Sequence, residues 1–230
     1  MLEYIVLHTV MSAAFVLASN SPRRRQLLTL AGVPFSACSA DVDERPYPCE
    51  PADSCVVRLA QMKAEAAAGM LNAGDKVILS FDTVVVDQEI LGKPANVEEA
   101  VRVLRQLRGR SHRVFTGLVV SDPDGRVETD VCITTVPMRN YSEAEILAYV
   151  QSGDPLDKAG SYAIQHPGFH PVEGLAGCYA GVMGLPLCHL ARTLRKMGMD
   201  LPGDISAKCQ SALQYTCPIS SAVLRGELVG

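Results

Sequence analysis

An aspartate lies inside one of the most apolar runs of the sequence, residues 76–86. An ionised carboxylate loses much of its hydration in a buried strand, so Asp82 needs a cation or hydrogen-bond donors beside it. The candidates are Lys93, which follows this run after a short turn, and the upstream residues Arg23, Arg24 and Lys63. An acid with nearby bases indicates a site for a metal ion and phosphate. The alternative left open here is that the strand ends early and that Asp82 and Thr83 lie in a solvated turn.

Three consecutive arginines stand in the first turn of a predicted helix that Ser21 caps and Pro22 begins. The N-terminal end of a helix is positive, so Arg23, Arg24 and Arg25 oppose the helix dipole unless an anion is bound there. Free backbone amides and guanidinium groups would then share one phosphate cluster. The alternative is that the arginines point into solvent, which applies most to Arg25.

An acidic cluster follows an irregular stretch of the chain, at Asp41, Asp43 and Glu44. One of these carboxylates would join Asp82 around a hard cation such as Mg²⁺, which prefers carboxylate, water and phosphate oxygens. The alternative is a solvated acidic loop. Lys63 stands among apolar neighbours on a predicted helix, where a lysine usually extends its ammonium group outward to water.

A candidate for recognition of a nucleobase is Gln165, near the end of the segment 157–165. Its amide offers both a donor and an acceptor, as the edge of uracil or thymine requires. The alternative is an ordinary amide at the end of a strand. His112, His166 and His170 have no metal-ligand spacing and are interpreted as structural.

Alternating apolar patterns predict an α/β fold, and the turn at residues 122–125 joins two strands into an antiparallel hairpin, so the sheet should be mixed. Asp53, Asn96 and Ser142 are the predicted caps of three helices, the last with Glu145 in a capping box. Residues after about 202 have weak periodicity and are interpreted as a poorly ordered C-terminal extension. The predicted strands are 15–19, 76–86, 112–121 and 126–138, and the predicted helices are 22–31, 53–71, 97–108, 143–153 and 186–198.

The composition excludes several classes of protein. The chain has 230 residues, 48% of them hydrophobic, which is enough for a substantial core. A net charge of −4 and the absence of a basic stripe disfavour nucleic-acid binding, because a phosphate backbone requires a positive face. There is no glycine-rich dinucleotide motif and no Walker loop. The eight cysteines form no C-x-x-C and no zinc spacing, which predicts free thiols in a reducing compartment.

The N-terminal residues 1–13 are interpreted as an extension that precedes a domain at 14–201. Glu3 stands where a signal peptide would carry basic residues, and the apolar run that follows is short for a membrane span. The sequence therefore predicts a cytoplasmic protein without contact to a membrane.

Taken together, these segments resemble the Maf family of nucleotide pyrophosphatases over residues 15–198. Each segment alone is a weak signal, and their order and spacing make the resemblance specific. The matching segments are Leu-Ala-Ser-Asn-Ser-Pro-Arg-Arg at 17–24, Asp-Glu at 43–44, the surroundings of Lys63 at 60–64, Asp-Thr-Val-Val-Val at 82–86, Gly-Lys-Pro at 92–94, Gly-Arg-Ser-His-Arg-Val-Phe-Thr-Gly at 109–117, Asp-Lys-Ala-Gly-Ser-Tyr-Ala-Ile-Gln at 157–165 and Gly-Leu-Pro-Leu at 184–187.

The resemblance implies a twisted mixed sheet with flanking helices, and two lobes around a cleft, as in inosine-triphosphate pyrophosphatases. It implies a homodimer that hydrolyses a nucleoside triphosphate to the monophosphate and pyrophosphate, and the Asp-Thr and Gly-Arg-Ser-His segments look like the dTTP/UTP branch. It also implies a divalent metal, Mg²⁺ with Mn²⁺ as the alternative. The implied catalytic residues are Asp82, Glu44, Lys63 and Lys93, the implied metal ligands are Glu44 and Asp82, and the implied substrate contacts are Ser19, Arg23, Arg24, Thr83 and Gln165.

Two departures from the family pattern bear on the base that is bound. Ser80-Phe81 replaces the usual Gly-Ala before Asp82, and His166-Pro167 replaces the usual glycine after Gln165. Large side chains at these positions would alter the base pocket if they faced it. The alternatives are therefore a purine-type or 7-methyl-GTP pyrophosphatase, or a nucleotide-sensing module linked to cell division that binds without turnover.

Overall fold

A computed structural model describes residues 14–39, 41–71 and 76–230. The extension predicted at residues 1–13 lies outside the described residues. A mixed six-stranded sheet forms the centre of the fold, with the order β2-β1-β3-β5-β6 and with β4 paired to β3. The strands are β1 (Ala14–Ala18), β2 (Phe35–Cys38), β3 (Lys76–Asp87), β4 (Glu89–Leu91), β5 (Ser111–Ser121) and β6 (Val127–Pro137).

The pairing of the strands confirms the predicted mixed sheet. The first three strands in the sheet order are parallel, whereas β3, β5 and β6 are antiparallel. The turn at residues 122–125 closes the predicted hairpin between β5 and β6, and Gly125 takes the positive φ of 82° that this turn requires. β2 was not predicted from the sequence, because it is only four residues long and its inner pair is exposed to solvent.

Eight helices surround the sheet in the described part of the chain. Ser21, Asn96 and Ser142 cap their helices as predicted, and Ser142 and Glu145 complete the capping box. The prediction that Asp53 caps the second helix is wrong, because this helix begins at Ala52 and Asp53 lies in its first turn. The helices are α1 (Pro22–Thr29), α2 (Ala52–Leu71), α3 (Val97–Leu107), α4 (Glu143–Gln151), α5 (Tyr179–Val182), α6 (Leu187–Lys196), α7 (Ile205–Leu213) and α8 (Ser220–Leu224).

Two hydrophobic cores divide the molecule into lobes on either side of a cleft. In the first lobe, the N-terminal half of β3 packs with β1, α1 and α6, as Leu17 and Leu79 show. In the second lobe, the C-terminal end of β3 packs with α3 and α4, and Val85 and Leu104 are members of that core. α2 covers the opposite side of the sheet. The two lobes and the cleft confirm the predicted α/β fold class.

The C-terminal segment differs from its prediction as a poorly ordered extension. α7 and α8 are regular helices, and Ile205 and Val223 bury their side chains. Both helices pack against α6. α6 is itself connected to β6 by an ion pair, with 2.8 Å between Arg192 Nη2 and Asp130 Oδ1. Helices of five and nine residues are too short to show a hydrophobic period, so the pattern of the sequence could not reveal them.

None of the helices in the described ranges combines the length and the apolar character that a membrane span requires.

The close approach of α2 to β5 depends on Gly117. A Cβ atom at this position would lie 2.6 Å from the backbone carbonyl carbon of Val56. We expect Gly117→Ala to push α2 from the sheet and to lower the free energy of unfolding by about 1–3 kcal/mol, the usual effect of overpacking. Urea denaturation measures the change.

Gly69→Ala on α2 is the matched control, because a Cβ there meets nothing within 4 Å. Alanine is better than glycine in a helix by about 1 kcal/mol, so this variant should be at least as stable as the wild type. An unchanged unfolding midpoint for Gly117→Ala would show that α2 can shift without cost.

Candidate functional site

A cleft of about 640 Å³ opens between the two lobes. This volume is in the range of small-molecule binding sites, about 300–1,000 Å³. Its walls come from the loop after β1, the loop before α2, the middle of β3 and the loop before α5. All nine site residues predicted from the sequence line this cleft: Ser19, Arg23, Arg24, Glu44, Lys63, Asp82, Thr83, Lys93 and Gln165.

The centre of the site is a lysine held between two carboxylates. Lys63 Nζ lies 2.6 Å from Asp82 Oδ1 and 2.6 Å from Glu44 Oε1. Asp82 lies in the middle of β3 and is 6% exposed, so the alternative of a solvated turn is wrong. Lys63 is 7% exposed and points inward from α2 to reach Asp82, instead of extending to water. The buried carboxylate has the cationic partner that its desolvation requires.

Glu44 connects this buried pair to the open cleft. Its second oxygen, Oε2, accepts a hydrogen bond from Lys93 Nζ at 3.1 Å. Burial acts to raise the pKa of the Glu44 carboxyl, but the hydrogen bonds and charges of Lys63 and Lys93 outweigh it and hold the pKa at about 2. Glu44 is therefore ionised across the neutral range of pH and can serve as a ligand for a cation.

The rest of the acidic cluster does not join this pair. Asp41 and Asp43 line the cleft, but the carboxylate of Asp43 binds Arg45, with 2.6 Å between Oδ2 and Nη2. Only Glu44 of the three shares a partner with Asp82.

Arg24 is held in place by neutral oxygen atoms. Its Nε donates to the carbonyl of Gly184 at 2.9 Å and its Nη2 donates to Thr83 Oγ1 at 3.1 Å, while Nη1 lies 3.4 Å from Ser19 Oγ. Burial lowers the pKa of the guanidinium, and the charges of Asp82 and Glu44 oppose that effect. Within the described part of the chain no carboxylate pairs directly with Arg24, so its charge is available to an anion in the cleft.

The other two arginines behave differently from each other. Arg23 lines the cleft and forms no ion pair with any residue that the structure describes. Arg25 is exposed, and its Nη2 donates to Asn20 Oδ1 at 3.2 Å. This confirms that Arg25 is the one that faces solvent, and it leaves Arg23 and Arg24 as the pair at the cleft.

The two departures from the family pattern do not reach the cleft. Phe81 is completely buried in the core of the first lobe, on the face of β3 opposite to Asp82. His166 packs against Tyr149, with 4.7 Å between the ring centroids, and its Nδ1 accepts from the amide of Phe169. Gln165 itself is exposed at the rim of the cleft.

Sequence reasoning missed one basic residue of the site. Lys158 is 7% exposed and lines the second-lobe wall of the cleft, where its Nζ lies 2.9 Å from Asp154 Oδ1 and 2.6 Å from Asp157 Oδ1. The sequence did contain an indication, because Lys158 belongs to the same segment, 157–165, in which only Gln165 was considered as a site residue. Two carboxylates already compensate its charge, so its contribution to anion binding is smaller than that of Arg24.

The geometry also fits a divalent cation. Glu44 and Asp82 both contact the same Nζ atom, so their oxygens are close enough to face one cation. Asp82 Oδ2 has no hydrogen bond with another described residue, which leaves it for a metal ligand bond or for a water molecule. Two carboxylates beside basic side chains are a donor set that suits Mg²⁺, which prefers oxygen ligands.

Curated proteins similar to this chain share one description. A "dTTP/UTP pyrophosphatase" of Methylobacillus flagellatus is 45% identical over 188 residues, which cover 81% of this chain and 94% of the relative. Proteins with the same name from Anaeromyxobacter sp. and Geobacter sulfurreducens are each 45% identical and cover 84% and 80% of this chain, and 94% and 96% of their own length.

Solved structures give a weaker match. The Ham1 protein of Staphylococcus aureus is 15% identical, and the alignment covers 69% of this chain and 79% of that chain with a TM-score of 0.43.

The family model for Maf-like protein matches residues 14–197, which are most of the chain and include all nine predicted site residues. The chain belongs to the Maf family.

Proposed function

We propose that the protein hydrolyses dTTP, UTP and related or modified pyrimidine nucleoside triphosphates to the monophosphate and pyrophosphate. The observation that carries the proposal is the juxtaposition in one cleft of a partly buried guanidinium, which has no acidic partner among the described residues, and a carboxylate pair held by lysines. The first arrangement binds a polyanion and the second supplies a base and a site for a metal. The names of the relatives supply the pyrimidine nucleotides as the substrate class.

The triphosphate would lie along the cations of the cleft. Arg24 is already oriented by three oxygen atoms, so little conformational entropy is lost when a phosphate binds to it. Arg23 adds its side chain and its backbone amide in the first turn of α1 as donors on the same side. Lys93 is half-exposed beside Glu44 and can turn toward a phosphate oxygen without leaving the cleft.

The chain's own residues then position the attack on the α-phosphorus. Asp82 would accept the proton of the attacking water at its uncommitted Oδ2, while Lys63 holds the carboxylate in place through Oδ1. Glu44 and Asp82 would hold the divalent cation, most simply Mg²⁺, which when bound neutralises phosphate charge and orients the leaving pyrophosphate. Most of the catalysis would be positioning and charge neutralisation by these groups.

The base would be bound at the other end of the cleft. Gln165 is exposed at the rim and can pair with the edge of a pyrimidine through its amide. The Thr83 hydroxyl accepts from Arg24 and lies 3.0 Å from Thr116 Oγ1, so its first role is to hold the guanidinium. A direct contact of Thr83 with the base stays a prediction.

Other functions have less support. Phe81 and His166 were the reasons to consider a purine or a 7-methyl-GTP substrate, and neither lines the cleft. A sensor of nucleotides without turnover would not need the carboxylate pair around Lys63.

We further propose that the protein is a cytoplasmic homodimer without nucleic-acid partners. The eight free cysteines fit a reducing compartment, and the negative net charge fits the absence of nucleic acid.

A release assay over the common and modified triphosphates tests the proposed reaction. We expect pyrophosphate and monophosphate in equal amounts from UTP and dTTP, a lower kcat/KM with purine triphosphates and with 7-methyl-GTP, and loss of turnover when EDTA removes divalent metal. Tight binding of UTP without release of pyrophosphate would instead indicate a sensor.

Asp82→Asn tests the assignment of the base. The amide oxygen can still accept from Lys63, so the fold should survive, but the proton acceptor is lost and kcat should fall by at least about 10²-fold. Asp124→Asn in the β5–β6 turn is the control, with activity close to that of the wild type. Wild-type turnover by a folded Asp82→Asn enzyme would rule out Asp82 as the base.

Gln165→Ala tests the recognition of the base. The loss of neutral hydrogen bonds worth about 0.5–1.5 kcal/mol should lower kcat/KM for UTP by roughly 2- to 10-fold. Inhibition by tripolyphosphate, which lacks a base, should be unchanged. Gln151→Ala on α4 is the matched control, and an equal loss of tripolyphosphate binding would place Gln165 on the phosphates.

A further inference from the structure

A second cluster of reactive side chains lies inside the first lobe, away from the cleft. Cys132 on β6, Cys178 at the start of α5 and His189 on α6 are all buried. Their two sulfur atoms and a ring nitrogen lie within 4.8 Å of one another. None of the three lines the cleft, and the proposed hydrolysis uses none of them.

The histidine of this cluster lacks the partners that a buried imidazole normally has. His189 is 0% exposed, and neither ring nitrogen forms a hydrogen bond with another described residue. The backbone of Val229 and Gly230 lies beside the ring. Buried polar atoms are nearly always satisfied, so a ring nitrogen that faces two thiols without a hydrogen-bond partner indicates a missing ligand.

A third thiol completes the surroundings. Cys217, between α7 and α8, contacts the thiol of Cys178, and its own Sγ lies 3.9 Å from the carbonyl of Gly177. A cavity of about 10 Å³, roughly the volume that one water molecule requires, is bordered by Cys178, His189 and Cys217. The cavity therefore lies between residues of the domain at 14–201 and the C-terminal helices.

We propose that Cys132, Cys178 and His189, whose donor atoms lie within 4.8 Å of one another, bind one zinc ion, and that Cys217 turns from its contact with Cys178 to become the fourth ligand. Three thiols and an imidazole are a common donor set of structural zinc sites, and the absence of a carboxylate from the cluster argues against Mg²⁺ or Ca²⁺. The backbone carbonyls beside His189 would accept the N–H of its second ring nitrogen, as outer partners of ligating histidines do.

Binding of zinc releases one proton from each thiol. Cys132, Cys178 and His189 are all buried, so the ion would be bound as the chain folds around it rather than by later entry through the surface.

The position of the ion would connect the C-terminal helices to the substrate site. The amide of Gly181 donates to Cys178 Sγ at 3.2 Å, and the carbonyl of Gly181 accepts from Thr116 Oγ1 at 2.8 Å. Thr116 in turn contacts Thr83, which holds Arg24. Zinc would thus fix the back wall of the cleft and anchor α7 and α8 to the family domain.

The test uses the full-length chain, expressed with zinc or with cobalt in the medium and purified without chelator. We expect about one metal ion per chain after dialysis, and for cobalt a sulfur-to-metal charge-transfer band together with tetrahedral d–d absorption. The charge-transfer band distinguishes thiolate ligands from the carboxylates of the cleft, and Asp82→Asn should leave it unchanged. A chain that retains no metal, or one with an oxygen-only spectrum, overturns the proposal.

Cys178→Ser and His189→Ala should each lower the affinity for zinc by more than the 10- to 100-fold loss that removal of an outer-shell partner causes. Cys55→Ser, which removes a buried thiol of α2, is the matched control with an unchanged metal content.

A second measurement needs no variant. Zinc should protect Cys132, Cys178 and Cys217 of the wild type from alkylation during partial unfolding, while the exposed Cys49 reacts. Equal alkylation with and without zinc, or a Cys132–Cys178 disulfide in place of the metal, overturns the proposal.

Discussion

The buried contact between Lys63 and Asp82 is the constraint on which the rest of the site depends. Each group alone would be an uncompensated charge beneath the sheet, and removal of one partner from such a pair typically costs about 3–5 kcal/mol. The contact requires α2 to lie directly on β3 and β5, and the lack of a side chain at Gly117, opposite Asp82 in the register, allows this approach. The packing of α2 on the sheet therefore also determines the position of the proposed base.

The cleft uses its two central cations in different ways. Lys63 is committed to acids and keeps the two carboxylates together, whereas Arg24 is committed only to neutral oxygens and keeps its full charge for a ligand. An arginine suits the second role because its planar group can satisfy three acceptors and still present N–H donors to phosphate. A lysine suits the first role because one compact ammonium can lie between two carboxylates.

Local signals in the sequence were sufficient for most of the fold. The caps at Ser21, Asn96 and Ser142, the hairpin turn and the apolar run around Asp82 each act over a few residues, so the pattern shows them directly. The inward direction of Lys63 could not be predicted in this way, because it depends on ion pairs with Asp82, 19 residues later in the chain, and with Glu44, 19 residues earlier. The same limitation applies to Cys132, Cys178 and His189, which have no metal spacing in the sequence and meet only after β6, α5 and α6 have packed.

The position of Phe81 along β3 explains why the most conspicuous departure from the family pattern leaves the cleft intact. Phe81 points into the core of the first lobe, where its volume replaces that of a smaller residue among Leu17, Leu79 and Leu118. Asp82 points to the other face, toward α2, because successive side chains of a strand alternate. A change at position 81 therefore alters the packing that holds β3 in place without entering the volume that a base would occupy. Thr83 lies on the same face of β3 as Phe81, but two residues further along, where the strand lines the cleft instead of the core of the first lobe. Thr83, and not Phe81, is therefore the neighbour of Asp82 through which the pocket can be changed.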